Sequence, residues 1–388
     1  MELTLFLDHA CNLRCSYCYG GRKSNRPMSA AVMKRAVDLA LAGKSPQLDV
    51  SFFGGEPLLH PDLIEESIAY VESQAATLGP LRPEVRFVMN TNGTLVDAVN
   101  DRLLVLLAPP RRFTTFVSLD GPASIHDAHR LDESGCGSFH RVETNLAFLR
   151  RHRIPYCLVA VVRPDSARRL GEVIEALLGQ QPAFVTLTPD LRAPWTDESI
   201  ADLRAGLRDL AHAWMNTFRR GQVVRVEPLH GKILTHLNEG IPCPERCTLA
   251  GHAFAVAPSG RLYPCAQMIG EDNKDTLVIG TVDTGLNRAR IAELQCAKDR
   301  VEATCAPCAL RERCQSHCGC QHWALTGELG RINATLCEIE ESFIAAADYA
   351  ASTLLAEGCP SFIATYYRKR YRPAPGASLT RLRRSSGT

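Results

Sequence analysis

Six short apolar runs, each closing on a polar or glycine-rich segment, dominate the first half of the chain. They occupy residues 3–7, 49–53, 85–89, 113–119, 156–162 and 184–187. The second run ends in Gly54-Gly55 and the third in Asn90-Thr91-Asn92-Gly93. Asp120-Gly121-Pro122, Arg163-Pro164 and Thr188-Pro189 close the remaining three of the last five. Helical stretches separate the runs, such as residues 29–41, with Ser29 as N-cap and Gly43 as stop. Apolar runs too short for helices, alternating with helices, build βαβ units and hence a parallel sheet. The expected fold class is α/β, with six strands over residues 1–191. Ligands in such folds lie off the carboxyl ends of the strands.

The first run leads into Cys11-Asn12-Leu13-Arg14-Cys15-Ser16-Tyr17-Cys18, a C-x3-C-x2-C loop. The chain has 16 cysteines, yet after Cys18 the next is Cys136. A closed structural zinc site takes four protein ligands. Three close thiolates instead suit a four-iron cluster with one iron left open to a small molecule. A cytoplasmic location is expected. Glu2 stands where a signal peptide carries basic residues, and residues 3–7 are too short for its apolar core. The uncharged apolar run of residues 103–108 stops at Pro109-Pro110, and that of residues 156–162 at Arg163, both far short of a membrane span. A cytosolic chain rich in cysteine uses it for metal rather than disulfides. The net charge of +2 argues against bulk binding of nucleic acid, and no membrane partner is expected.

The cysteine loop, followed by Gly54-Gly55-Glu56-Pro57, resembles the motifs of the radical S-adenosylmethionine (SAM) enzymes. The resemblance implies a partial six-stranded (β/α)6 barrel in which Cys11, Cys15 and Cys18 hold a [4Fe-4S] cluster. Its open iron would chelate the amino and carboxylate groups of SAM, and one electron would split SAM into a radical that abstracts a substrate hydrogen. Gly55 and Glu56 then belong to the segment meeting the SAM amino group. The backbone of Tyr17 would lie beside adenine, Ser118 near a ribose hydroxyl, Arg130 opposite the SAM carboxylate, and Leu191 against adenine. Plainer readings exist: Ser118 as an ordinary buried serine, and Arg130 as the partner of Asp127 or Asp132.

Beyond the barrel, residues 192–240 read as a helical connector carrying Trp195 and Trp214, and residues 241–340 as a second, cysteine-dense domain. A C-terminal helix, residues 341–365 with its periodicity already visible from 338, and a basic, disordered tail, residues 366–388, complete the chain. The spacing of Cys247, Gly260 and Cys265, then Cys305, Cys308, Cys314 and Cys318, then Cys337, resembles the seven-cysteine SPASM domain. That resemblance implies two auxiliary [4Fe-4S] clusters, three clusters in all. The first would use Cys243, Cys247, Cys265 and Cys318, and the second Cys305, Cys308, Cys314 and Cys337. Cys320 is a spare able to exchange with Cys318. The same spacings also suit zinc knuckles. Cys136, Cys157, Cys296 and Cys359 carry no motif, and His126, His129, His252 and His322 are not expected as ligands.

In layout the chain resembles the anaerobic sulfatase-maturing enzymes, which oxidise a Cys or Ser to formylglycine. In those enzymes an Asp follows the third cysteine of the first auxiliary cluster and takes the substrate proton. Ala266 holds that position here, and alanine cannot act as a base. Asp190, Glu245, Tyr263 and Glu271 are the acid–base candidates that remain. The expected function is therefore a maturase that abstracts a hydrogen from a ribosomally made peptide, giving a crosslink or another oxidative modification. Alternatives are a sulfatase maturase, a small-molecule radical dehydrogenase, and an iron–sulfur electron carrier. Expected partners are a precursor peptide and a reductant of the flavodoxin or ferredoxin type. With the barrel starting at residue 3, a leader-binding domain is not expected ahead of it. The peptide would be met by the barrel mouth, the cysteine-rich domain, the tail or a separate leader-binding protein.

Overall fold

Strand β1 (Glu2–Phe6) buries every residue after Glu2 because it is covered on both faces and paired on both edges. Leu3 and Leu5 are wholly buried, as central strands of parallel sheets require. The computed structural model describes residues 1–98, 101–109, 111–240, 247–300 and 305–367. Cys243 and Glu245 lie outside the described residues, as does the tail beyond Tyr367.

From β1 the sheet runs in chain order through β2 (Gln47–Phe53), β3 (Glu84–Thr91), β4 (Phe113–Ser118), β5 (Tyr156–Val162) and β6 (Phe184–Pro189), all parallel. These are the six strands read from the apolar runs. Helices α1 (Ala30–Ala42), α2 (Pro61–Thr77), α3 (Asp101–Leu107), α4 (Ala123–His126), α5 (Phe139–Arg151) and α6 (Leu170–Gly179) lie between them. Ser29 caps α1 by accepting the N–H of Val32 at 3.2 Å, and Gly43 ends it.

The connector is not wholly helical. Between α7 (Asp197–Arg219) and α8 (Leu229–Leu237) it contributes β7 (Arg225–Glu227), which pairs parallel with β6. A strand of three residues is too short to show alternation. On the other side of β1, the cysteine-rich segment supplies β8 (Ala253–Val256), also parallel to β1. Antiparallel β9 (Arg261–Tyr263), β10 (Gly280–Thr281) and β11 (Gly285–Leu286) follow, giving an 11-stranded sheet among the described residues.

The helix expected from residue 338 begins four residues earlier, spanning Ala334–Ala356 with Asn333 as its N-cap, so Cys337 stands in its first turn. Tyr366, expected in the tail, ends a further helix, Pro360–Tyr366, and is buried. The helix Ala334–Ala356 packs on α7, joined by His212 to the Tyr349 hydroxyl at 2.6 Å, and by Arg219 to Glu357. It meets α8 through a buried ion pair, Lys232 Nζ to Glu340 at 2.6 Å.

Candidate active site at the cysteine loop

The carboxyl end of β2 lies directly beside the chain leaving β1. Gly55 N–H donates to the Asp8 carbonyl at 2.8 Å, and Glu56 N–H to the Ala10 carbonyl at 3.0 Å. Two glycines are needed for this approach. Gly54 has a φ of 140°, and a Cβ on Gly55 would stand 2.0 Å from the Ala10 carbonyl oxygen. The Glu56 side chain turns away from the rim. It accepts from Leu58 N–H at 3.0 Å, the Thr91 hydroxyl at 2.7 Å and Asn92 N–H at 2.7 Å. Gly55 thus borders the loop, whereas Glu56 ties β2 to the end of β3.

The cysteine loop is held from several strands. Asn12 donates to Thr94 at 2.7 Å and accepts from Asn92, whose amide also reaches Cys11 Sγ at 3.7 Å. Arg14 N–H and Ser16 N–H donate to the carbonyls of Leu131 and His129. Lys23 Nζ lies 2.9 Å from Cys18 Sγ. Burial pushes the Cys15 thiol up to about 11, against the pull of Arg130. Such a thiol ionises readily only when a cation takes up the charge, which is what ligation to iron does. Three thiols on one short loop, with two cationic side chains at hand, fit a cluster that leaves one iron without a protein ligand.

Tyr17 and Arg130 meet over Asp120, which closes the fourth apolar run. The Tyr17 hydroxyl donates to Asp120, and Arg130 gives it two hydrogen bonds, Nε at 2.9 Å and Nη2 at 3.2 Å. The guanidinium also lies over the Tyr17 ring, 5.3 Å from its centroid. Burial works to raise the Asp120 carboxyl, but Arg130 outweighs it and holds it below the usual carboxylate range. Behind them, His126 Nδ1 accepts the Asp120 N–H at 3.3 Å. Its Nε2 faces Ser138, whose hydroxyl donates to the Arg130 carbonyl. Burial, then Arg130, lowers His126 to about 4, so it stays neutral near pH 7. Arg130 therefore pairs with Asp120, not with Asp127 or Asp132. Sequence reasoning passed over Asp120; its signal was a lone carboxylate at the mouth of an apolar strand. Ser118 ends β4 half-buried, and Leu191 is half-buried against the core just beyond β6.

The remaining acid–base candidates differ in freedom. Asp190 pairs with Arg163, whose guanidinium lies over the Tyr17 ring. Tyr263 is buried and donates to Asp272 at 2.9 Å; burial, then Asp272, raises its hydroxyl. Glu271 is exposed and reaches the segment after Cys18, accepting Arg22 N–H at 3.0 Å. A residue that the sequence reading missed is His9, buried just before the loop, with neither ring nitrogen partnered among the described residues. Another is Tyr19, near Cys18, Cys265 and Cys320, and beside Phe53 and Arg192.

Those last two cysteines belong to a group of four. Cys318 Sγ and Cys320 Sγ are 3.2 Å apart, with Cys247 close to Cys318 and Cys265 close to Cys320. Thiols are soft donors suited to iron–sulfur or zinc chemistry, but among the described residues no three such side chains are gathered closely enough to hold a single metal ion. Of the second predicted set, Cys305, Cys308 and Cys314 lie on one turn-rich segment, and Cys337 in the first turn of the helix Ala334–Ala356. Cys305 and Cys314 are buried. The unassigned Cys157 and Cys359 are core thiols, while Cys136 and Cys296 are exposed.

The family model of the Radical SAM superfamily matches residues 7–177. A cysteine-type anaerobic sulfatase-maturating enzyme of Clostridium novyi (strain NT) is 26% identical over 274 residues, 66% of this chain and 70% of that protein. A serine-type enzyme of Klebsiella aerogenes is 22% identical over 334 residues, 80% of this chain and 77% of that one. Among solved structures, native anSMEcpe with bound AdoMet superposes with a TM-score of 0.74 at 20% identity, covering 91% of this chain and 98% of its own. Streptococcus suis SuiB bound to the precursor peptide SuiA gives a TM-score of 0.57 at 16% identity, covering 87% and 75%. These two likenesses bear on the fold. Among the described residues, no helix is long and apolar enough to cross a membrane.

Proposed function

The chain carries a radical SAM domain and is a radical SAM enzyme homologous to anaerobic sulfatase-maturating enzymes, and from that premise we propose that it oxidatively matures a ribosomally made peptide. The observation that carries the reading is the arrangement around Tyr19. Cys18 of the cysteine loop and Cys265 and Cys320 of the cysteine-rich segment all lie near it. A peptide substrate entering at the strand ends would come close to both. The proteins it resembles support a peptide substrate: sulfatase-maturating enzymes by their names, and SuiB by its solved complex with a precursor peptide.

With a [4Fe-4S] cluster on Cys11, Cys15 and Cys18, SAM supplies hydrogen-atom abstraction from unactivated carbon. The chain's own residues do the rest. Gly55 keeps the rim clear of side chains beside the loop, and Tyr17, Arg130 and Asp120 form a rigid, charge-neutral wall on its other flank. Ser118 and Leu191 line the strand ends where nucleoside contacts are expected. Each turnover removes two electrons and two hydrogens from the peptide, one as an atom and one as a proton with its electron. Glu271 is the proton acceptor that fits best. It is exposed and borders the loop, whereas Asp190 and Tyr263 are engaged with Arg163 and Asp272. Ala266, at the first turn after Cys265, offers no base, which favours a crosslink or related oxidation over formylglycine formation. The two auxiliary clusters, a flavodoxin- or ferredoxin-type reductant and a separate leader-binding protein belong to the same proposal.

The test is isotope transfer. Protein reconstituted without oxygen is given SAM, dithionite and a candidate precursor peptide deuterated at side-chain positions. Deuterium in 5′-deoxyadenosine, with a peptide two mass units lighter than its parent after correction for label, is the expected result. Transfer from a sulfatase-derived Cys or Ser peptide with aldehyde formation would restore the formylglycine reading. Transfer only from a small molecule would overturn the peptide substrate.

A further inference from the structure

Asp8 follows the apolar run of β1 directly, and its side chain is buried, only 1% exposed. A carboxylate is left in such a place only where donors meet it, and three do. Oδ1 accepts Ala10 N–H at 3.1 Å and Arg26 N–H at 2.8 Å, while Oδ2 lies 2.8 Å from His60 Nε2. The donors come from three separate places. Ala10 leads into Cys11, Arg26 lies beyond Cys18, and His60 is the N-cap of α2, just past Gly54-Gly55-Glu56-Pro57.

The cysteines therefore sit on a loop whose neck is closed by one carboxylate. Two residues past Arg26, Met28 N–H donates to the Leu7 carbonyl at 2.7 Å and ties the returning chain to the same strand end. Ala10, the residue before Cys11, is fixed at both of its polar groups. Its N–H is held by Asp8, and its carbonyl accepts Glu56 N–H at 3.0 Å. Arg26 carries the connection outward, since its Nη2 donates to the Glu271 carbonyl at 2.8 Å. Without the Asp8 oxygen, two backbone N–H groups lose their acceptor, and the chain on both sides of the loop must move to find others.

We propose that Asp8, with His60 behind it, is a positioning residue that holds the cysteine loop in register with Gly55, the rim where SAM is expected. This rests on the cluster-and-SAM reading above. His60 engages Oδ2 and so keeps Oδ1 turned toward the two N–H groups, as outer partners orient the groups that touch a metal centre.

The experiment compares full-length, anaerobically reconstituted wild type, Asp8→Asn, Asp8→Ala and His60→Ala. It reads iron per chain, the SAM dissociation constant by equilibrium dialysis, and the electron paramagnetic resonance spectrum after dithionite, with and without SAM. Asparagine keeps an oxygen for both N–H groups and can donate to the other tautomer of His60, so Asp8→Asn should bind SAM as wild type does. Asp8→Ala should weaken SAM binding roughly tenfold or more and blunt the SAM-dependent change in the spectrum. Loss of about four irons with the rest retained is the same result in stronger form. His60→Ala should fall between. A lower melting temperature in Asp8→Ala with unchanged SAM affinity and spectrum is what a purely structural residue would give, and it overturns the proposal. So does Asp8→Asn as impaired as Asp8→Ala. Where Asp8→Ala does not fold, His60→Ala decides, and wild-type affinity and spectrum there overturn the proposal. Wild type that holds iron yet binds no SAM would instead overturn the cofactor reading, a distinct failure.

Discussion

Glu56 accepts the backbone N–H of Asn92 at 2.7 Å, so the motif ending β2 reaches across to the residue that ends the third apolar run. Asn92 in turn holds Asn12 and touches Cys11. One buried carboxyl thereby links two strand ends to the cysteine loop without touching the rim itself.

Burial pushes the Glu56 carboxyl up to about 7 from an ordinary 4.5, against the pull of its three donors. Between those values the folded chain holds a proton that the unfolded chain has released. Stability from this group is therefore full below about pH 4.5 and declines as pH rises to about 7, by roughly 3 kcal/mol at most. Glu56→Gln should flatten that slope. It should also cost about 1–3 kcal/mol, because its amide NH2 must face a donor. Melting temperatures of both proteins from pH 5 to 8 check this; parallel curves would refute it.

Removing Arg130 leaves Asp120 buried and uncompensated. Arg130→Ala should lose about 3–5 kcal/mol of stability, and Arg130→Lys less, since a lysine keeps the charge but not the fork. Urea unfolding under anaerobic conditions reads this directly. A loss below about 1 kcal/mol, typical of an exposed ion pair, would mean that the pair does not hold the Tyr17 wall.

Gly55→Ala places a methyl group 2.0 Å from a backbone oxygen that has no side-chain freedom to yield. The chain entering Cys11 must shift, so about four irons should be lost while the auxiliary centres persist. Gly179→Ala, where the added carbon meets nothing within 4 Å, is the control and should retain all iron. Full iron in Gly55→Ala would show that the loop tolerates displacement.

Glu340 neutralises buried Lys232 and also accepts Gln315 N–H at 2.7 Å, next to Cys314. Glu340→Ala should cost about 3–5 kcal/mol by stranding the ammonium. A Lys232→Met/Glu340→Leu double variant should recover much of that loss, because no charge remains unpaired. The iron of the second auxiliary centre should drop in the single variant, through the freed Gln315 segment. A double variant no more stable than the single one would show that packing, not charge, dominates there.

The sequence by itself determined the six parallel strands and the cysteine loop after β1, because buried strands must be apolar and their polar endings mark the rim. It also marked the glycine pair, since close backbone approach excludes a side chain. Tertiary structure decided what periodicity cannot carry. β7 is three residues long, and β8 finds β1 across more than two hundred residues of chain. Arg130 took Asp120 as its partner, a choice among three nearby carboxylates that sequence distance does not rank. Cys318 and Cys320 stand with their sulfur atoms 3.2 Å apart, a contact that spacing along the chain does not announce. Motif spacing counts residues along the chain, whereas packing decides where each sulfur atom points.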